Sequence, residues 1–149
     1  MVNLNYLKKR ILFPKDNIKE NLILKKLKEI INDDFFFESF FKHYSKIEKK
    51  EIDPNCMLQK NAYKPQIKDL LRLYEFIILN KRTTVLEFGT GWSTLIISIA
   101  LENLRKKYSS KISNLRRSDP FKVFSVDNEK RFLKISKDRI SNFYKKKKS

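Results

Sequence analysis

Both glycines of this 149-residue chain fall in one decapeptide, Val85-Leu86-Glu87-Phe88-Gly89-Thr90-Gly91-Trp92-Ser93-Thr94, and they are two residues apart. Elsewhere the sequence supplies Asn, Asp, Ser and Pro for its corners, so glycine is not needed here merely to make a loop. A main chain that something else approaches closely is the better reason for placing it. The surroundings sharpen that expectation. Thr83 to Phe88 is a short β-branched and apolar run, which predicts a parallel strand buried on both faces. Ile96, Ile97, Ala100, Leu101 and Leu104 then recur at helical spacing, with Ser93 or Thr94 available as the cap. Strand, glycine turn and helix start therefore follow in order, which aims free backbone N–H groups and the positive end of a helix dipole at whatever lies over the turn.

The ligand is constrained by two details. The dinucleotide pattern G-x-G-x-x-G is incomplete, because Thr94 stands where its third glycine would be. In addition, Glu87 closes the strand two residues before Gly89. A carboxylate at that point suits a cationic or amine-bearing ligand and repels a pyrophosphate.

Val85-Leu86-Glu87-Phe88-Gly89-Thr90-Gly91 resembles the first motif of class I S-adenosylmethionine-dependent methyltransferases. A second segment is similar to the family as well: Phe121 to Val126 reads as a strand that ends in Asp127-Asn128-Glu129, before a helical pattern with Phe132, Ile135 and Ile140. The resemblance spans Tyr63 to Ile140, about half the chain. It implies an α/β, Rossmann-like fold and S-adenosylmethionine as cofactor. It also implies that Asp127 takes the ribose hydroxyls and that Glu87 serves the methionine amine, directly or through water. Phe88, Gly89, Thr90, Gly91, Trp92 and Ser93 on the turn, and Asn128 beside Asp127, complete the implied cofactor site.

Two departures from the family pattern carry expectations of their own. Trp92 replaces a small residue and is expected to crowd the cofactor or to stack near it. The interval between Gly91 and Asp127 is long, which predicts a loop extension around Lys106 to Pro120. The sequence ends at Ser149, after the first β-α-β-α unit of a fold that in the family continues through more strands. One edge of Thr83 to Phe88 is then expected to be unpaired, and a two-stranded sheet is marginal unless other elements cover it. Truncation of the gene is the favoured expectation, with the run Lys145 to Lys148 read as the product of an A-rich frame. A natural fragment completed by a partner and an unrelated small fold are the alternatives. No acceptor-binding or catalytic residue is identified, and the methyl acceptor is open.

Upstream, residues 1–62 read as a helical cap. Asp16 is placed to cap a helix carrying Ile18, Leu22, Leu24, Leu27 and Ile31. Phe36, Phe37, Phe40, Phe41, Tyr44 and Ile47 lie on a second helix. Five phenylalanines between positions 35 and 41 cannot all face one side, although core packing is the ordinary role of such a cluster. The pattern lapses between Glu51 and Ala62. From Pro65, suited to a first helical turn, Ile67, Leu70, Leu71, Tyr74, Ile77 and Ile78 follow helical spacing and are expected to pack on the sheet. Residues 63–144 then form the partial cofactor-binding unit, and 145–149 a basic tail.

Charge sets the competing reading. With 34 Lys and Arg against 17 Asp and Glu, the chain carries +17, a field that draws nucleic acid or anionic lipid. Lysine-, isoleucine-, asparagine- and phenylalanine-rich coding in an A- and T-rich genome accounts for the same excess, and this bland explanation is favoured because no nucleic-acid motif accompanies the charge. Lys145 to Lys148 and the group Lys106, Lys107, Lys111, Arg116 and Arg117 are the local concentrations, able to touch phosphates without reading sequence. A non-enzymatic binding module and an inactive fragment are thus the alternatives to an enzyme, and a NAD-binding protein a weaker third.

Cys56 is the only cysteine, so an intramolecular disulfide is impossible. His43, the only histidine, has no Cys or His at ligand spacing, and no metal site is expected. No apolar run approaches the roughly 20 residues that span a bilayer. Met1 to Pro14 lacks the apolar core of a signal peptide. A cytoplasmic protein is expected.

Overall fold

The computed structural model describes residues 19–46, 65–114 and 120–146. The protein is mixed α/β, mostly helical around a small parallel sheet. Its elements run α1 (Glu20–Ile31), α2 (Asp34–Lys46), α3 (Ile67–Leu79), β1 (Thr84–Phe88), α4 (Trp92–Lys107), a 3-10 helix (Ser109–Asn114), β2 (Lys122–Val126) and α5 (Lys130–Lys146). β1 and β2 pair in parallel, from Thr84 opposite Lys122 to Phe88 opposite Val126. A parallel pair needs a crossover, and α4 supplies it.

α4 is the centre of the molecule because it is apolar nearly all round. Thr94, Leu95, Ile96 and Ile97 are buried in succession, followed by Ile99, Ala100, Leu101 and Leu104. One side of α4 packs Ile97, Ala100, Leu101 and Leu104 with Ile77 of α3 and with Val85 and Val123 of the two strands. Its other side carries Trp92, Leu95, Ile96 and Ile99 into a cluster with Ile23, Leu27 and Ile31 of α1, Phe36 and Phe40 of α2, Leu70 and Leu71 of α3 and Phe143 of α5. The amino-terminal helices α1 and α2 share this core.

Several sequence expectations need correction. Among the described residues, β1 is covered on one face only. Leu86 and Phe88 are 58% and 81% exposed, and their register partners Phe124 and Val126 are 51% and 53% exposed. The period of two in a strand puts these four side chains on one face and Val85, Glu87, Val123 and Ser125 on the face that meets α4. In α1 the buried stripe is Ile23, Leu27 and Ile31, while Leu22 is 48% exposed, because three successive apolar residues leave the register of the stripe ambiguous. Ile135 of α5 is exposed, while Ile140 packs on the core beside Phe143 and Tyr144. α5 extends to Lys146, so the basic tail begins inside a helix.

Other expectations agree in outline. Phe36 and Phe40 are buried whereas Phe41 is exposed, as a helix with a phenylalanine cluster requires. Helix α2 gains a start signal from Asp33, whose side chain accepts the Phe36 N–H at 3.0 Å. Part of the interval after α4 is the 3-10 helix rather than an open loop. Asp16, Ile18, Ile47, the boundary at 51–62, Cys56, Arg116 and Arg117 lie outside the described residues, as do the side chains of His43 and Tyr44. Among the described residues no helix is long and apolar enough to cross a membrane.

Candidate functional site

The site grows from the carboxyl end of the sheet. Gly89 continues β1 with its N–H donated to Val126 O at 2.7 Å, then turns the chain at φ +86°, a left-handed conformation that glycine adopts without steric cost. Thr90 follows and is fixed from two atoms. Its N–H and its hydroxyl both donate to Asp127 Oδ2, at 2.8 and 2.9 Å. Asp127 Oδ1 accepts the Glu129 N–H at 2.9 Å, which shapes the entry into α5. The Glu129 N–H bond, more than any other cause, holds the Asp127 carboxyl below the ordinary carboxylate range. Burial opposes that shift, and the two Thr90 bonds add to it.

Gly91 is the cap of α4, and its N–H donates to the hydroxyl of Thr94 at 3.1 Å. Neither Ser93 nor Thr94 is itself the cap. Thr94 acts from the third helical position, where a side chain reaches back to the cap N–H. The Gly91 carbonyl accepts the hydroxyl of Ser136 from α5 at 3.3 Å. A Cβ built on Gly89 or Gly91 meets no described atom within 4 Å, so the outer side of the turn is open.

Glu87 lies under the turn on the covered face of the sheet. Three hydroxyls donate to its carboxylate: Ser93 to Oε1 at 2.5 Å, Thr94 to Oε2 at 2.7 Å and Ser125 to Oε2 at 2.9 Å. These donors come from α4 and β2, so the carboxylate ties both strands to the helix start. An ionised carboxylate offers about four acceptor positions. Among the described residues, Glu87 keeps one of these positions, on Oε1, and Asp127 keeps one, on Oδ1.

The structure separates the sequence-derived residues into groups. Glu87, Gly89, Thr90, Gly91, Ser93 and Asp127 converge at the sheet end. Asn128 is exposed beside them. Phe88 points to the uncovered face of the sheet. Trp92 is a core side chain, 7% exposed, with Phe40 edge-on at 5.1 Å and the Arg139 guanidinium 4.1 Å from its ring centre. It anchors the start of α4 in the core. Comparison of the chain with protein-family models, curated proteins and solved structures returned no match.

Thr94, Ser125 and Ser136 belong to the site although the sequence reading gave them no such role. Thr94 stood out in the sequence as a candidate helix cap and as the residue in place of a third glycine, neither of which places it on Glu87. Alternation along Lys122 to Val126 puts Ser125 on the face of Val123, but its place opposite Glu87 depends on a strand register that one sequence does not specify. Among the described residues no three His, Cys, Asp or Glu side chains gather as a metal site.

Proposed function

We propose that the sheet end is the cofactor-binding site of a Rossmann-like, S-adenosylmethionine-dependent methyltransferase, and that this chain supplies the first β-α-β-α unit of that fold. The observation that carries the reading is the Asp127 carboxylate, bonded to the turn between two glycines whose outer sides are open. Gly91 has φ 178°, extended backbone open to any residue, and a Cβ there has space. Nothing in the described structure requires glycine at that position, whereas a ligand lying against the main chain does.

The donor set fits the cofactor. The free acceptor position on Asp127 takes one ribose hydroxyl. The free position on Glu87 takes an N–H of the amino group, and the negative charge below favours that cation. The start of α4, a 16-residue helix, would offer its positive end to the carboxylate of the same ligand. When bound, S-adenosylmethionine supplies a methyl group on a sulfonium, ready for transfer to a nucleophilic O, N or C atom. The contribution of these residues is to bind and orient.

NAD is the competing ligand, since Asp127 suits a ribose in either molecule. Thr94 in place of a third glycine and Glu87 under the turn both disfavour a pyrophosphate. Parallel calorimetric titrations with S-adenosylhomocysteine and NAD test the choice. Saturable heat with the first alone supports the proposal. Preference for NAD, or no heat with either from folded protein, overturns it.

A further inference from the structure

Lysines scattered through the sequence of α5 converge on one of its faces. At about 100° per residue, Lys130, Lys134, Lys137 and Lys145 fall within roughly 80° of arc. All four are exposed. From the first to the last the stripe is about 22 Å long at 1.5 Å per residue. Asp138 at its border is the only acid in the helix.

The alignment of four exposed lysines on one helix face distinguishes this stripe from a general coat of charge. On other helices, several basic residues meet carboxylates: Lys26 lies 3.8 Å from Glu75, Lys28 3.0 Å from Asp34, Arg72 3.3 Å from Asp69 and Arg105 2.7 Å from Glu102, whereas Lys25 and Lys42 stand singly on their helices. Lys106 of the other sequence-derived basic group lies 3.9 Å from Glu102, and Lys107 sits over the Tyr108 ring. Lys130, Lys134 and Lys137 make no ion pair among the described residues.

We propose that this face of α5 is a docking surface for the phosphate backbone of nucleic acid. Charge complementarity with evenly repeated phosphates identifies the partner, because lysine heads act as point charges without base readout. An anionic membrane suits the helix less well. Membrane-surface helices bury an apolar face in the lipid, whereas α5 commits Phe143, Ile140 and Tyr144 to the protein core. Cofactor binding at the glycine turn is not needed for this contact.

The test is fluorescence anisotropy of the full chain with a labelled 24-base-pair duplex, titrated with salt. Lys130→Gln/Lys134→Gln/Lys137→Gln is compared with Lys25→Gln/Lys42→Gln/Lys111→Gln, an equal charge change at exposed lysines elsewhere. The stripe variant is expected to bind roughly tenfold or more weakly and to lower the slope of log K against log salt by about 2 to 3, near 0.9 per lost phosphate contact. The control is expected to change the slope by less than about 1. Equal effects of the two variants, or no duplex binding by the parent chain, overturn the proposal. So does stripe-dependent binding to phosphatidylserine vesicles in place of the duplex, which assigns the face to membranes.

Discussion

Glu87 of β1 and Ser125 of β2 are register partners, and the serine hydroxyl donates to the carboxylate at 2.9 Å. Ser93 and Thr94 reach the same carboxylate from α4, so one acid joins three elements at the open end of the sheet. Ser125→Ala removes one of three donors and is expected to cost about 1 kcal/mol. Glu87→Ala also deprives the buried Thr94 hydroxyl of its acceptor and is expected to cost about 2 to 3 kcal/mol. Urea denaturation measures both. Equal losses would show that the three hydroxyls do not share this anchor.

Gly89 and Gly91 respond differently to a methyl group. Gly89 at φ +86° holds a conformation that costs an L-residue about 1 to 2 kcal/mol, so Gly89→Ala is expected to lower the melting temperature. Gly91→Ala is expected to leave stability unchanged or raise it by up to about 1 kcal/mol, since the backbone is extended and the space is open. The same Gly91→Ala change is expected to weaken S-adenosylhomocysteine binding. Thermal unfolding and calorimetry separate a folding role from a ligand role at each position.

Asp127 gives the fold a pH dependence with a definite sign. Its folded-state pKa lies below the unfolded value of about 3.9. The stability it contributes is therefore present above about pH 4 and is lost as pH falls through the depressed folded value. Urea midpoints of the parent and Asp127→Asn are expected to differ at pH 6 and to converge in the acid range below about pH 4. A difference that stays constant down to about pH 2.5 would contradict the Glu129 and Thr90 contacts as its source.

Trp92 is the only tryptophan, which makes its fluorescence a direct report on the core around Phe40 and Arg139. Burial alone depresses the pKa of Arg139, and the guanidinium meets the indole face in place of a carboxylate. Arg139→Ala removes the cation–π contact and the packing of the aliphatic stem, with an expected loss of about 1 to 2 kcal/mol. The native emission is expected to shift as well. Unchanged emission with unchanged stability would place Arg139 away from Trp92.

The sequence carried the order strand, glycine turn, helix, strand and helix because each element had its own local signal. The parallel pairing followed from a helix between two strands. What it did not carry depended on partners distant in the chain. Leu86 and Phe88 look like core residues in a strand read alone, yet among the described residues only one face of this sheet meets a helix. Trp92 looked like a ligand contact because it adjoins Gly91, whereas its side chain is claimed by Phe40, more than fifty positions earlier. In α1 the run Leu22-Ile23-Leu24 leaves the choice of buried side to packing. Thr94 and Ser125 gained their roles only when the register brought Glu87 between them.

The most direct test is calorimetric titration of the parent chain and Asp127→Ala with S-adenosylhomocysteine, with circular dichroism to establish that both are folded. Saturable binding by the parent, weakened in the variant by about 1 to 3 kcal/mol, or roughly 5- to 150-fold, is the predicted result. Equal affinities of the two folded proteins, or no binding by the parent, would contradict the assignment of the glycine turn and Asp127 as a cofactor site.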